Sequence, residues 1–372
     1  MTAATVLIAP DKFKGSLTAG EVAQAIAEGL RSSGATHVDL LPLADGGDGS
    51  VDAAVAAGFT RYACTVAGPT GHPVRASIAF DGETAVVEVA NTCGLALLPD
   101  GVLEPLEASS RGFGEAVLFA LGLRPERLVL ALGGSSSTDG GMGMLTALGL
   151  RFHDSAGQVL SGSGQALASV HSVSGEPVPK LDGVELILAT DVHNPLCGPT
   201  GAAAVFGPQK GALASDVEKL DAGLAHFASR LGDGAVTLAE KPGAGSAGGI
   251  GYACLLLGAR QVSGADFFLD LLDFDARVAT AELVITGEGS IDEQTLAGKL
   301  PAVVARRSGH RPVIAVAGRS LLAPTQWSGM SLMDVYTLTD YTDQDSSRDP
   351  VLSAALLREI GRLIGEKQPA RL

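Results

Sequence analysis

The chain has 372 residues, too many for one hydrophobic core to organise comfortably, so two domains are expected. Its 26 Lys and Arg stand against 41 Asp and Glu, a net charge of -15 without a basic cluster, which excludes nucleic acid as an expected partner. No run is long and apolar enough for a bilayer, no cleavable leader opens the chain, and Cys64, Cys93, Cys197 and Cys254 are scattered, so a cytoplasmic protein without membrane association is expected.

From the N-terminus, Thr5 to Ala9 reads as a short buried strand, followed by the loop Asp11-Lys-Phe-Lys-Gly15. Thr18 and Glu21 make a capping-box pattern that opens a helix with Val22, Ile26 and Leu30 on one face, ended by Gly34. A strand over Val38 to Pro42, a loop over Ala44 to Gly49 and a helix carrying Val51 and Val55 complete a β-α-β-α start, which requires a parallel sheet. The pattern then changes. Thr60 to Val66, Val74 to Phe80 and Thr84 to Val89 are strand-like and joined by Gly-containing turns too short for anything but antiparallel neighbours. A helix over Gly112 to Leu123, a strand over Arg127 to Leu132, a Gly- and Ser-rich loop with a helix after it, and a strand over Val184 to Ala189 carry the middle of the chain. From Glu282 the first rhythm returns, with strands at Leu283 to Thr286, Pro312 to Ala317 and Val335 to Leu338, a loop over Gly287 to Gly298, a helix from Pro301 and a closing helix over Val351 to Ile364. An α/β domain made from residues 1–60 and 281–372 therefore encloses an inserted mixed α/β domain of residues 61–280.

The loop LGGSSSTDGGMG, Leu132 to Gly143, packs five glycines and four hydroxyls into twelve positions. Such a backbone can turn amides and hydroxyls toward one anion, phosphate first. Asp11, Asp45, Asp48, Asp191, Glu288 and Asp292 each fall just beyond an expected strand's carboxyl end, the edge at which open α/β sheets bind ligands. One such acid commonly just caps the next helix, but a gathering of them in a cleft calls for a cation, ordinarily Mg²⁺. Lys12, Lys14, Lys210 and Lys299 stand in neighbouring Gly-containing loops, and acids for metal with amines for phosphate oxygens are what handling a Mg-nucleotide requires. The segment Gly243 to Gly248 fits G-x-G-x-x-G but lacks a preceding strand, so a dinucleotide site is disfavoured, and no P-loop sequence occurs. Ser135 to Ser137 could serve a serine hydrolase, although G-x-S-x-G is missing there and His193 alone among seven histidines lies in a motif.

Six segments, APDKFKGSLTAGEVA from Ala9, LADGGDGS from Leu43, GGSSSTDGGMGM from Gly133, TDVHNPLCGPTGAAAVFGPQKGA from Thr190, PGAGSAGGIGYA from Pro242 and ITGEGSIDEQTLAGK from Ile285, resemble the signature segments of the bacterial type-one glycerate kinase family. The resemblance implies two α/β domains, one flavodoxin-like and one with a restriction-endonuclease-like core, with the active site in the cleft between them. It also implies transfer of the ATP γ-phosphoryl group, with Mg²⁺, to D-glycerate at the 2-hydroxyl. Asp11, Lys14, Asp45, Ser135, Thr138, Asp139, Asp191, Asn194, Lys210, Glu288, Asp292 and Lys299 match the family's motifs, whereas Ser290 and Arg111 stand where many members carry Arg and Tyr. On physical grounds Gly133, Gly134, Ser135, Thr138, Asp139 and Lys299 are expected to hold ATP, and Asp45 and Glu288 to hold Mg²⁺. Asp191 is the expected base, with Asn194 orienting the alcohol and Lys14 serving the transferred phosphate; Asp11, Lys210 and Asp292 are expected at the substrate. Phosphorylation at the 3-hydroxyl, another small hydroxy acid as acceptor, and more distantly ester hydrolysis are the alternatives, and a homodimer is compatible with all of them.

Overall fold

A computed structural model describes residues 5–35, 37–177, 181–296 and 298–367. In chain order its strands are β1 (Thr5–Pro10), β2 (His37–Leu40), β3 (Thr60–Ala67), β4 (Pro73–Phe80), β5 (Thr84–Glu88), β6 (Arg127–Ala131) and β7 (Arg151–His153). They continue with β8 (Ser172–Ser174), β9 (Glu185–Ala189), β10 (Arg260–Val262), β11 (Leu283–Ile291), β12 (Val313–Ser320) and β13 (Asp334–Thr337). The chain divides into two compact units, residues 1–45, 52–57 and 265–372 in the first and residues 46–51 and 58–264 in the second. Among the described residues no helix is long and apolar enough to cross a membrane.

The first unit is built on a five-stranded sheet of order β13-β12-β11-β1-β2, with every pairing parallel. Counted within the unit this is the flavodoxin-like order, whose topological switch point lies between its first and third strands, here β1 and β11. Val6, Leu7, Ile8 and Ala9 are all fully buried, because a parallel strand is covered on both faces. The helix Ala19–Ser32 starts where its sequence dictates: the Thr18 hydroxyl accepts from the Glu21 amide, and Glu21 accepts in turn from the Thr18 amide at 2.8 Å. That helix meets the closing helix Pro350–Lys367 at backbone contact, since a Cβ on Gly29 would lie 2.0 Å from the Arg358 carbonyl oxygen and one on Gly361 2.3 Å from that of Ile26.

Two features depart from expectation. Helices Gly264–Leu271 and Phe274–Thr280, expected in the inserted domain, lie almost wholly in the first unit, where Arg307 pairs with Asp270 and Asp275 at 2.7 Å each. Strand β11 also runs past Thr286 to Ile291, so Glu288 sits inside it opposite Ala317 and not in a loop beyond it. Glycine makes the extension possible, because any Cβ at Gly287 would fall 2.1 Å from the Val316 carbonyl oxygen.

The second unit carries a mixed six-stranded sheet, β10-β9-β6-β5-β4-β3. Its β3-β4-β5 edge is the expected antiparallel meander, and β5, β6, β9 and β10 run parallel. Strands β7 and β8 form a separate antiparallel pair. Phe113, Phe152, Phe227 and Tyr252 are buried at the core, with Phe152 and Phe227 ring centroids 5.3 Å apart. Phe227 comes from the helix Ala214–Arg230 and Tyr252 from Ile250–Leu256.

Candidate active site

In the first unit the polar residues gather at the carboxyl end of the switch point. Asp11 follows β1, its amide donating to the Gly287 carbonyl at 2.8 Å, and its Oδ1 accepts from the Lys12 amide at 2.7 Å. Glu288 on β11 accepts a hydrogen bond from the Thr295 hydroxyl, and the Lys299 ammonium lies 4.0 Å from its Oε2 and 3.3 Å from Asp292 Oδ1. Burial pushes Asp11 up to about 6, with Lys12 opposing and the charge of Asp45 adding to the shift. Burial likewise pushes Glu288 up to about 7; Thr295 and Lys299 hold it down, while Asp11 and Asp292 push it higher. Lys14 is exposed, its amide nitrogen running close past Gly289. Asp11, Lys14, Asp45, Glu288, Asp292 and Lys299 thus share one end of this sheet, although among the described residues no three His, Cys, Asp or Glu side chains make a metal-binding set.

In the second unit the centre is the loop between β6 and the helix Met142–Ala147. Gly134, Gly140 and Gly141 adopt φ of +76°, +63° and +73°, the left-handed region that glycine enters without strain. Neighbouring segments close on it at backbone distance: a Cβ on Gly133 would lie 2.4 Å from Gly47 Cα, and one on Gly248 2.1 Å from the Ser137 carbonyl oxygen. The DGGDG and GAGSAG segments therefore buttress this loop, which is the role of the G-x-G-x-x-G match that dinucleotide chemistry did not explain.

Two buried charges fix the loop from within. Asp139, fully buried, accepts from the Ser110 amide and hydroxyl at 2.8 and 2.7 Å and from the Gly141 and Gly143 amides at 3.0 and 3.1 Å. Burial raises its pKa and these donors oppose the rise. Lys210 is 2% exposed and donates from Nζ to Ser135 Oγ at 2.8 Å and to the Ser137 carbonyl. Burial lowers its pKa to about 8, with the Asp139 charge opposing. Expected at nucleotide and substrate respectively, both side chains turn inward, because each spends its polar atoms on the loop. Ser135 stands 5% exposed, and the buried Ser137 and Thr138 hydroxyls have no protein hydrogen-bond partner among the described residues.

Asp191 and Asn194 follow β9. Asp191 is exposed and its Oδ1 accepts from the Gly264 amide at 3.1 Å, while Asn194 donates from Nδ2 to the Thr200 carbonyl at 2.8 Å. Sequence reasoning missed Ser110 and Glu88, the latter buried and accepting from the Val51 amide at 2.9 Å. Neither carries a local signal: Glu88 ends an ordinary apolar strand, and Ser110 gains its role only when Asp139 arrives beside it.

Acids and an ammonium at a flavodoxin-like switch point, with a glycine-framed hydroxyl loop on a second α/β unit, fit the class of α/β phosphotransferases that act on small molecules. Residues 6–356 match the model of the glycerate kinase family, and the chain belongs to that family. It is 45% identical to a glycerate kinase of Bacillus subtilis and 41% identical to a glycerate 2-kinase of Escherichia coli, covering 84% of this chain and 84% of each relative. A solved structure of a Salmonella typhimurium LT2 protein, described as a candidate glycerate kinase 2, superposes with a TM-score of 0.82 at 37% identity over 99% of both chains. Membership in a kinase family disfavours the hydrolase alternative.

Proposed function

We propose that the protein transfers the ATP γ-phosphoryl group to the 2-hydroxyl of D-glycerate, giving 2-phosphoglycerate and ADP. The observation that carries this reading is the hydroxyl loop fixed by Lys210 and Asp139 in a chain of the glycerate kinase family. Preformed donors of this kind stabilise charge on transferring phosphoryl oxygens without reorganising during the reaction.

On this reading Gly133, Gly134, Ser135 and Thr138 take the nucleotide phosphates, with the Lys14 and Lys299 ammonium groups as counter-charges. Asp191 accepts the proton of the attacking hydroxyl and Asn194 orients the alcohol. Glycerate's carboxylate needs a cation with free reach, which the enclosed Lys210 does not offer. Asp11 and Asp292 border the same end of the sheet and help place the substrate. The donors there are all oxygen, and burial raises the proton affinity of Asp11 and Glu288 among them; such a gathering of acids fits Mg²⁺, an ion that takes one or two carboxylates and keeps its remaining positions for water and phosphate. Glu288 and Asp45 would hold it, and when bound it supplies charge neutralisation for the triphosphate.

The test is ³¹P NMR of the product formed from ATP, Mg²⁺ and D-glycerate. A phosphorus resonance coupled to a single proton on a secondary carbon is expected; coupling to a methylene would reassign the enzyme to the 3-hydroxyl, and no ADP release would overturn the reading.

A further inference from the structure

We infer that Lys210 is a positioning residue that sets the Ser135 hydroxyl for the nucleotide and does not touch glycerate. The inference rests on the reading of the 133–141 loop as the phosphate site. An ammonium has three protons and no acceptor, so an oxygen bonded to it can only accept from it. Lys210 Nζ donates to Ser135 Oγ at 2.8 Å, and the Ser135 proton must therefore point away from Lys210. The second donation, to the Ser137 carbonyl, ties the same ammonium to the loop two residues on. Together these bonds tie the Ser135 side chain to the Ser137 carbonyl and leave a hydroxyl proton on the 5% exposed Ser135 for an anionic acceptor.

The surroundings are shaped for this ammonium. A Cβ at Gly248 would fall 2.9 Å from Lys210 Nζ, so glycine there makes room for it, and φ of +69° at the same residue makes other side chains strained. Lys210 itself closes a short turn, Pro208–Lys210, ended by Gly211 at φ +93°. Its charge is compensated by Asp139, which binds the far end of the same loop. With 2% of its surface exposed, Lys210 directs its ammonium into the loop, to Ser135 and Ser137.

Steady-state kinetics of K210M and S135A, with ATP and D-glycerate varied separately, test the inference. Losing a charge-assisted bond that orients a ligand group should raise KM for ATP at least ~10-fold in K210M. KM for D-glycerate should stay within about twofold, since only a substrate ligand would move it. S135A should raise KM for ATP similarly, and K210M added to S135A should then add less than about threefold, because the two act as one unit. A rise confined to KM for D-glycerate would overturn the inference, as would full additivity of the two changes. If S135A raises KM for ATP and K210M does not, the positioning role falls while the loop's function stands; if neither moves it, the phosphate site itself is misplaced. Should K210M not fold, K210Q keeps a donor for the buried carbonyl without the charge, and the same KM split is expected from it.

Discussion

Glu288 and Asp11 hold their protons to unusually high pH, and stability feels it. Their ordinary values are 4.5 and 3.8, and in the folded chain they stand at about 7 and about 6. Between those limits the folded state binds more protons than the unfolded one, so these two groups make the first unit less stable as pH rises from about 4 to about 7. In metal-free buffer the first unit of E288Q should lose less stability between pH 4.5 and 7.5 than that of the unchanged chain; parallel slopes would contradict the burial of this acid. Chemistry at single residues is equally testable. D191N should lower turnover by ~10²-fold or more with KM for ATP little changed, and an unaltered rate would remove Asp191 from the role of base. K14A should weaken ATP, and unchanged nucleotide affinity would take Lys14 away from the phosphates.

Among the elements, the hydroxyl loop depends on glycine at positions where backbone meets backbone. G133A puts a methyl 2.4 Å from Gly47 Cα, and neither side can yield as a flexible side chain would. Overpacking of this kind costs ~1–3 kcal/mol, which should lower the melting of the second unit by roughly 2–12 °C. Melting unchanged within a degree would show that the two segments part easily. The elements themselves were largely legible from sequence. Thr18 and Glu21 announced their helix because a capping box is local chemistry, and the alternation of β3, β4 and β5 with short turns announced an antiparallel edge. Glu288 was misplaced because Gly287 and Gly289 on either side look like a loop, whereas here glycine serves strand pairing against β12. The inward turn of Lys210 and Asp139 was not legible for a related reason: a motif shows which residue types come together but not which way they face, and their partners Ser135 and Ser110 stand 75 and 29 positions away in the chain.

At the scale of the whole molecule, two cores invite two unfolding events, and the chain carries a reporter for one of them. Trp327, the only tryptophan, belongs to the first unit and has its indole nitrogen buried. Its fluorescence should follow the first unit alone, and circular dichroism both. E288Q is expected to move the fluorescence transition and G133A the other, and a single shared midpoint for both probes in both variants would show that the cores melt as one.

The central seam of the first sheet joins residues made at opposite times. The Thr286 hydroxyl bonds the Ala9 carbonyl across 277 positions, and every β1–β11 pair is as distant. A ribosome adding 5–20 residues each second needs roughly 15–55 s to bridge that interval, while the inserted unit emerges whole and can fold first. Throughout the delay Val6, Leu7 and Ile8 wait without the strand that will pair beside them, a sticky nascent segment of the kind chaperones shelter.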